Sequence, residues 1–228
     1  MVIPDEQPND VELRGSVKYL FGFPYWVYKI DPKSYDKQKI DADIINNYYI
    51  NPVRNKWDNK SYMKSELHHS NSDVNNPHYR EIDYTKLMRQ YQMLFGTFIK
   101  ELDIGDADAS FDITNYTAMK RGQYMRKHNH IGDCDFTCVH YFRYNPEEHP
   151  STTFYNPNNG STSIRYLRPD HYNKLNITKP EHSFRLPYFQ LPAVEDEIHI
   201  MPSEVEHEVP PFVSDELRVT IVVNLRIK

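Results

Sequence analysis

The second half of the chain consists of short apolar or alternating runs, and this pattern constrains the fold more than any other feature. After Gly105 the runs are separated by loops rich in proline and asparagine. The runs cover residues 110–119, 136–144, 152–155, 196–201 and 217–227. The last of them contains a stretch rich in the β-branched residues that favour strands, from Val219 to Leu225. Several short strands joined by turn residues predict a β-sandwich or a barrel.

The first half of the chain predicts one strand, two helices and one long loop. Residues 17–29 are apolar and aromatic, and they predict an N-terminal strand broken at Pro24. A helix is expected over 35–49, and the polar stretch 55–82 predicts a long loop that is mobile or faces the substrate.

The clearest helix is expected from about Thr85 to Leu102, with Asp83 as its cap. Its apolar residues recur at three- and four-residue spacing, which predicts a face packed on the core. They are Leu87, Tyr91, Leu94, Phe95, Phe98, Ile99 and Leu102. The expected arrangement is two helices outside a β core.

Length and composition are those of one folded domain. The 228 residues are 39% hydrophobic and 26% charged, which is enough apolar material for a packed core. We expect a single domain over 1–228, in which residues 1–110 supply the supporting strand, loop and helices and residues 111–228 form the β core. The net charge of −5 argues against a nucleic-acid binder.

The sequence predicts neither export nor insertion into a membrane. Its first ten residues are polar, and no apolar run has membrane-spanning length. Cys134 and Cys138 are the only cysteines, which is no disulfide framework. These features predict a cytoplasmic protein, in the host cytoplasm if the source is viral, and they leave a homodimer open.

Three histidines form a candidate metal site. Residues i and i+2 of a strand share a face, so His128 and His130 can both face one metal, and His207 is expected from another strand. Asp133 and Asp135 follow closely and are alternative ligands. Three ligands on one face with open positions opposite are what a non-haem Fe(II) site needs. The competing interpretation is that these are surface histidines, in a chain that has 11.

Arg218 lies eleven residues after His207, and Thr220 shares its strand face. A guanidinium and a hydroxyl on one face can hold a carboxylate by a bidentate contact. The alternative is an arginine at a strand edge that pairs with Glu216.

The 136–144 run has two distinct faces, and one of them is expected to line the site cavity. Thr137, Val139, Tyr141 and Arg143 form one face, whereas Phe136, Cys138, His140 and Phe142 form the other. Tyr141 can donate its hydroxyl to a bound carboxylate. A core tyrosine with a partner elsewhere explains it equally well.

Two stretches resemble the 2-oxoglutarate/Fe(II)-dependent oxygenases, and in particular a branch common in tailed-phage and marine bacterial genomes. They are NYTAMKRGQYMRKHNHIGDCDFTCVHYF and IHIMPSEVEHEVPPFVSDELRVTIVVNLRI. The resemblance covers roughly residues 112–228. The positions that match that branch are Asn115, Gly122, His128, His130, Pro202, Ser203, His207, Val209, Arg218, Thr220 and Asn224.

The resemblance implies a double-stranded β-helix of the jelly-roll or cupin-like type that uses Fe(II), 2-oxoglutarate and O₂. Such enzymes convert 2-oxoglutarate to succinate while they hydroxylate an unactivated C–H bond, and the cofactors carry that chemistry. It further implies that Arg218, Thr220, Tyr141 and Asn115 bind the co-substrate.

One departure from the family is visible in the sequence. Most of the superfamily has His-x-Asp before the distal histidine, but position 130 is His where Asp would stand. We predict His128, His130 and His207 as the ligands, with Asp133 or Asp135 reaching in after a turn as the alternative.

Three functions fit these residues. The first is a hydroxylase acting on an unidentified small molecule or peptide side chain. The second is a non-catalytic cupin-like metal-binding or structural protein, which has no need of the Arg218 and Thr220 pair. The third is a zinc hydrolase, because three histidines and a water also suit Zn²⁺. The polar stretches 55–82 and 145–190 are expected to frame the substrate entrance.

Overall fold

The computed structural model describes residues 16–20, 23–50, 56–58, 64–71, 76–104, 107–157, 174–176, 179, 182 and 186–228. These residues form two helices and thirteen strands. The helices are α1 (Lys37–Ile50) and α2 (Thr85–Leu102). The strands are β1 (Ser16–Leu20), β2 (Phe23–Lys29), β3 (Lys56–Asp58), β4 (Lys64–Glu66), β5 (His68–His69), β6 (Ala109–Met119), β7 (Met125–His128), β8 (Phe136–Arg143), β9 (Thr153–Tyr155), β10 (Tyr188–Gln190), β11 (Glu197–Pro202), β12 (His207–Val209) and β13 (Arg218–Ile227).

Eleven of the thirteen strands form two antiparallel sheets. The major sheet has seven strands in the order β1-β2-β11-β8-β13-β6-β5, and the minor sheet has four in the order β10-β9-β12-β7. Side chains of both sheets share one apolar cluster, in which Val139 and Tyr141 of the major sheet meet Phe154 and Phe189 of the minor sheet. The fold is therefore a jelly roll, the double-stranded β-helix expected from the sequence.

The long strand β13 lies between β8 and β6 in the major sheet and presents side chains to both faces of that sheet. Its residues alternate between faces, as strand geometry requires. Val219, Ile221 and Val223 join a core cluster with the helices, whereas Arg218 and Thr220 line a cavity between the sheets. One strand thus supplies both the helix-packing surface and the interior polar groups.

Helix α2 covers the outer face of the major sheet, as its apolar stripe predicts. Leu87, Leu94 and Phe98 are fully buried, and each such side chain contributes about 1.5–3 kcal/mol on burial. Asp83 accepts a hydrogen bond from the Thr85 backbone N–H at 3.0 Å, but it lies one residue before the cap position. The predicted helix bounds are confirmed.

The single strand predicted over 17–29 is wrong, because that stretch forms two antiparallel strands. β1 pairs with β2 from Ser16 opposite Val27 onward. Pro24 lies inside β2, where it faces β1 and precedes the segment that pairs with β11. Proline is tolerated there because its missing N–H removes no bond to β11.

The stretch 55–82 is not a continuous loop in its described part. β3 and β4 form a two-stranded ribbon, and β5 adds to the edge of the major sheet with His68 opposite Ala118. β10 likewise lies inside the 145–190 stretch, most of whose central part falls outside the described residues. Strands of two or three residues leave too little periodicity to be seen in the sequence.

In the described part of the chain, neither helix is both long and apolar enough to cross a lipid bilayer.

Candidate metal centre

Two of the three candidate histidines lie on neighbouring strands of the minor sheet. His128 is the last residue of β7, His207 is the first of β12, and the two face each other in the antiparallel register. Their ring centroids are 4.3 Å apart. A shared sheet therefore fixes the relative positions of the two imidazoles.

His130 reaches the same place by a different route. It lies in the turn after β7 rather than on the strand, so the same-face argument that predicted it is wrong for this residue. Its backbone N–H donates to the Ser203 carbonyl at 2.9 Å, which draws the turn towards the end of β11. Its ring lies 5.2 Å from the His128 ring and is stacked at 5.4 Å on the His207 ring.

The three imidazoles form a group that can hold one metal ion. One ring nitrogen from each lies within 4.8 Å of those of the other two. The two alternative carboxylates are not part of this group. The Asp135 carboxylate accepts the Ile227 backbone N–H at 2.8 Å, and Asp133 is exposed. The group therefore offers three imidazole nitrogens as metal ligands.

Hydrogen bonds to backbone carbonyls orient two of the rings. His128 Nδ1 donates to the Arg126 carbonyl at 2.8 Å, and His207 Nδ1 donates to the Val205 carbonyl at 2.9 Å. Because a carbonyl only accepts, Nδ1 carries the proton in both rings and Nε2 keeps the lone pair that binds metals. In each case the carbonyl belongs to the residue two positions earlier.

Burial keeps these imidazoles in the form that binds metals. It lowers the pKa of His207 well below the usual value and lowers that of His128, against the opposing effect of the carbonyl bonds. Burial, with His128 nearby, lowers the pKa of His130 to about 4. All three are neutral at pH 7, which is the ligating form.

A cavity between the sheets joins the histidines to Arg218. Its walls come from β5, β6, β7, β8, β12 and β13, from the turn after β7 and from the segment before β9. The lining residues are His69, Asn115, Thr117, Met125, His128, His130, Val139, Thr152, His207, Val209, Arg218, Thr220 and Val222. The β8 face that bears Val139 is thus the one that faces the cavity.

The Arg218 guanidinium is the most unusual group in this cavity. The residue is 0% exposed, and neither Nη atom has a hydrogen-bond partner among the residues that the structure describes. Nε donates to the Pro150 carbonyl at 3.3 Å, and the Tyr141 and Tyr144 rings flank the guanidinium at 5.6 and 5.8 Å. Burial lowers its pKa, but not enough to remove the charge of an arginine.

No carboxylate of the described residues forms an ion pair with Arg218, including Glu216, which was the alternative partner. A buried cation without a counter-ion is unfavourable. Its two free Nη groups are arranged to accept a bidentate anion. The cavity therefore carries a positive charge that no described carboxylate neutralises.

The structure brings the other predicted residues near this site in different roles. Thr220 and Asn115 line the cavity. The Thr220 hydroxyl is 2.8 Å from that of Thr117, and the buried Asn115 Oδ1 has no hydrogen-bond partner within the described ranges. Tyr141 differs from the expectation, because its hydroxyl donates to Thr152 at 2.7 Å and its ring contacts Arg218.

Several lining residues were missed by the sequence analysis. Thr117 follows Asn115 by two positions on β6, so strand parity alone could have found it. His69 belongs to a two-residue strand, and Thr152 lies in a loop. No periodic signal points to either.

No protein-family model matches this sequence, and no curated protein matches it. Solved structures do. A prolyl hydroxylase from Trichoplax adhaerens, in complex with a peptide fragment of a hypoxia inducible factor, superposes with a TM-score of 0.50. That likeness covers 93% of this chain and 83% of the other at 10% identity, and it concerns the fold.

Two further structures are similar at lower scores. An oxidoreductase of the 2OG-Fe(II) oxygenase family from Burkholderia pseudomallei gives a TM-score of 0.42 at 10% identity, over 64% of this chain and 61% of that one. A viral collagen prolyl hydroxylase from Paramecium Bursaria Chlorella virus-1, in complex with 2OG, gives 0.47 at 14% identity, over 87% and 94%.

Proposed function

We propose that this protein is an oxygenase that uses Fe(II) and 2-oxoglutarate to hydroxylate a small molecule or a peptide side chain. One observation carries the proposal. Three imidazoles that can share a metal ion and a fully buried, unpaired guanidinium line the same cavity. A keto acid that chelates the metal has a second carboxylate, and an anion site next to the metal can bind it.

The donor set fits Fe(II). Imidazole suits iron, and three ligands on one side leave the opposite positions for a chelating co-substrate and O₂. Fe(II), 2-oxoglutarate and O₂ together would supply the C–H hydroxylation, with succinate and CO₂ as the other products. His128, His207 and His130 would hold the metal.

Residues of this chain would bind 2-oxoglutarate directly. The Arg218 Nη groups would hold the distal carboxylate by two parallel charge-assisted bonds, for which they have no other partner within the described residues. Thr220 would add a hydroxyl, and the Asn115 amide lies in the same cavity. The Tyr141 and Tyr144 rings lie beside the guanidinium, which is fully buried.

Arg218 separates this proposal from the two other functions. A structural metal site does not need a buried unpaired cation, which costs stability. A zinc hydrolase needs the metal and its water, but no anion site with this burial. The prolyl hydroxylase of Trichoplax adhaerens has the same fold and was solved with a peptide, which supports a peptide side chain as one substrate class.

Turnover of 2-oxoglutarate tests the proposal. Purified protein with Fe(II), ascorbate and O₂ is incubated with pools of metabolites and peptides, and succinate is measured. We expect Fe(II)-dependent succinate in the wild type and none in His207→Ala or Arg218→Met, with His78→Ala, an exposed histidine, as the matched control. Absence of Fe(II)-dependent succinate with every pool would reject the assignment.

A further inference from the structure

The three candidate ligands differ in how firmly the protein holds them. His128 and His207 are register partners on adjacent strands, so both Cα positions are fixed by the sheet. Each ring is also held by a hydrogen bond from Nδ1 to the carbonyl two residues earlier, Arg126 or Val205. Two independent constraints thus orient each of these rings.

His130 has neither constraint. It lies in the turn after β7, and among the described residues its ring has no hydrogen-bond partner. Only ring contacts hold it, stacking on His207 at an interplanar angle of 10° and an edge contact with His128. The residue is partly exposed, as is His128, so the two differ in their hydrogen bonds and not in burial class.

This difference has a known energetic consequence. A hydrogen bond to the second nitrogen of a ligating imidazole fixes its tautomer and orientation, and its loss typically lowers metal affinity 10–100-fold. A ring without such a bond also loses rotamer freedom when it binds. His130 must therefore contribute less to metal affinity than the other two histidines.

We propose that His128 and His207 form a permanent metal-binding pair and that His130 is a replaceable third ligand. Its coordination position can accept a small monodentate donor from solution, such as imidazole or azide. This inference rests on the metal site of the proposed function and concerns how much each of the three histidines contributes to the metal affinity.

The surroundings of His130 support the proposal that its side chain can leave the metal. The turn that carries His130 is followed by the exposed residues Ile131, Gly132 and Asp133, so no core packing opposes its movement. Gly132 has a φ of +89°, a left-handed conformation that glycine adopts without strain. The backbone bond from His130 to Ser203 keeps the turn in place while the side chain moves.

Cobalt titration tests this proposal without turnover. Co(II) replaces iron, resists air and reports its ligands through its visible spectrum. Wild type, His128→Ala, His207→Ala and His130→Ala are titrated, with His69→Ala as a control that lines the same cavity outside the donor group. We expect one Co(II) per chain in wild type, His69→Ala and His130→Ala.

The expected affinities separate the ligands. His130→Ala should raise the Co(II) Kd at least about tenfold less than His128→Ala or His207→Ala does, because an orienting hydrogen bond on a ligating imidazole contributes about 10–100-fold in affinity. Added imidazole should change the Co(II) spectrum of His130→Ala and lower its Kd, and should leave His69→Ala unchanged. Circular dichroism checks folding, and the Asn variants replace any Ala variant that does not fold.

Two outcomes would overturn the inference. One is a loss of affinity in His130→Ala as large as in the other two histidine variants, and the other is a His130→Ala site that ignores imidazole. Both leave metal binding by the wild type intact, so the proposed function survives them. A wild-type protein that binds no Co(II) or Fe(II) would instead remove the proposed function and the inference together.

Discussion

Replacing Arg218 by methionine should stabilise the ligand-free protein and abolish its response to 2-oxoglutarate. The side chain is 0% exposed, both Nη atoms lack partners in the described part of the chain, and the Nε bond to Pro150 is long at 3.3 Å. Each buried polar group left without a partner costs about 1–3 kcal/mol, and more if charged. Methionine keeps most of the length and can pack beside the two tyrosine rings without a charge.

The magnitude follows from these contacts. Removal of the unpaired cation should raise the free energy of unfolding of the ligand-free protein by about 1–3 kcal/mol. For a chain of this size that is about 2–4 °C in Tm per kcal/mol. In the wild type, 2-oxoglutarate at about 100 times its Kd should add about 2.7 kcal/mol, and in Arg218→Met this gain should vanish.

Scanning calorimetry of metal-free protein, with and without 2-oxoglutarate, measures both effects. Arg218→Lys is the matched control, because it keeps the charge and loses the fork. It should weaken 2-oxoglutarate binding by about 1.5–3 kcal/mol, the range of one hydrogen bond to a charged group. An Arg218→Met protein that melts several degrees lower, and still gains stability from 2-oxoglutarate as the wild type does, would refute the reasoning.

Three further predictions follow from the site. Thr220→Val should weaken 2-oxoglutarate binding by about 0.5–1.5 kcal/mol in calorimetry with Mn(II), since it removes one neutral hydrogen-bonding group, and an unchanged affinity would remove Thr220 from the site. Asp133→Ala should keep stoichiometric metal by elemental analysis, because its carboxylate lies outside the donor group, and metal loss would restore the two-histidine, one-carboxylate site. Metal affinity should fall by less than about tenfold from pH 7.5 to 5.5. The reason is that burial lowers the pKa of all three imidazoles, that of His130 to about 4, so protons compete with the metal mainly at lower pH. Three imidazoles of ordinary pKa near 6.5 would lose much more affinity over the same range.

The parts of the site that lie on long elements were predictable from the sequence. β13 has ten residues, so its alternation alone placed Arg218 and Thr220 on one face and Val219, Ile221 and Val223 on the other. The eighteen-residue helix α2 was predictable for the same reason, since its stripe repeats over five turns. Length gives a periodic signal enough repeats to be recognised.

The parts that depend on turns and on the backbone were not predictable. His130 reaches the metal group through a turn, although strand parity had placed it on a strand. The carbonyls of Arg126 and Val205 orient the ligands, and backbone atoms leave no mark in residue identity. The Tyr141 hydroxyl bonds to Thr152, a residue in a loop whose path no local pattern specifies.

Anaerobic absorption spectroscopy with Fe(II) and 2-oxoglutarate tests the central claim most directly. A keto acid that chelates the iron gives a visible charge-transfer band that neither component gives alone. We predict that the band appears with one 2-oxoglutarate per chain in the wild type, and that it is absent with Zn(II), in His207→Ala and in Arg218→Met. A wild-type protein that holds one Fe(II) per chain but develops no band at saturating 2-oxoglutarate would contradict the account.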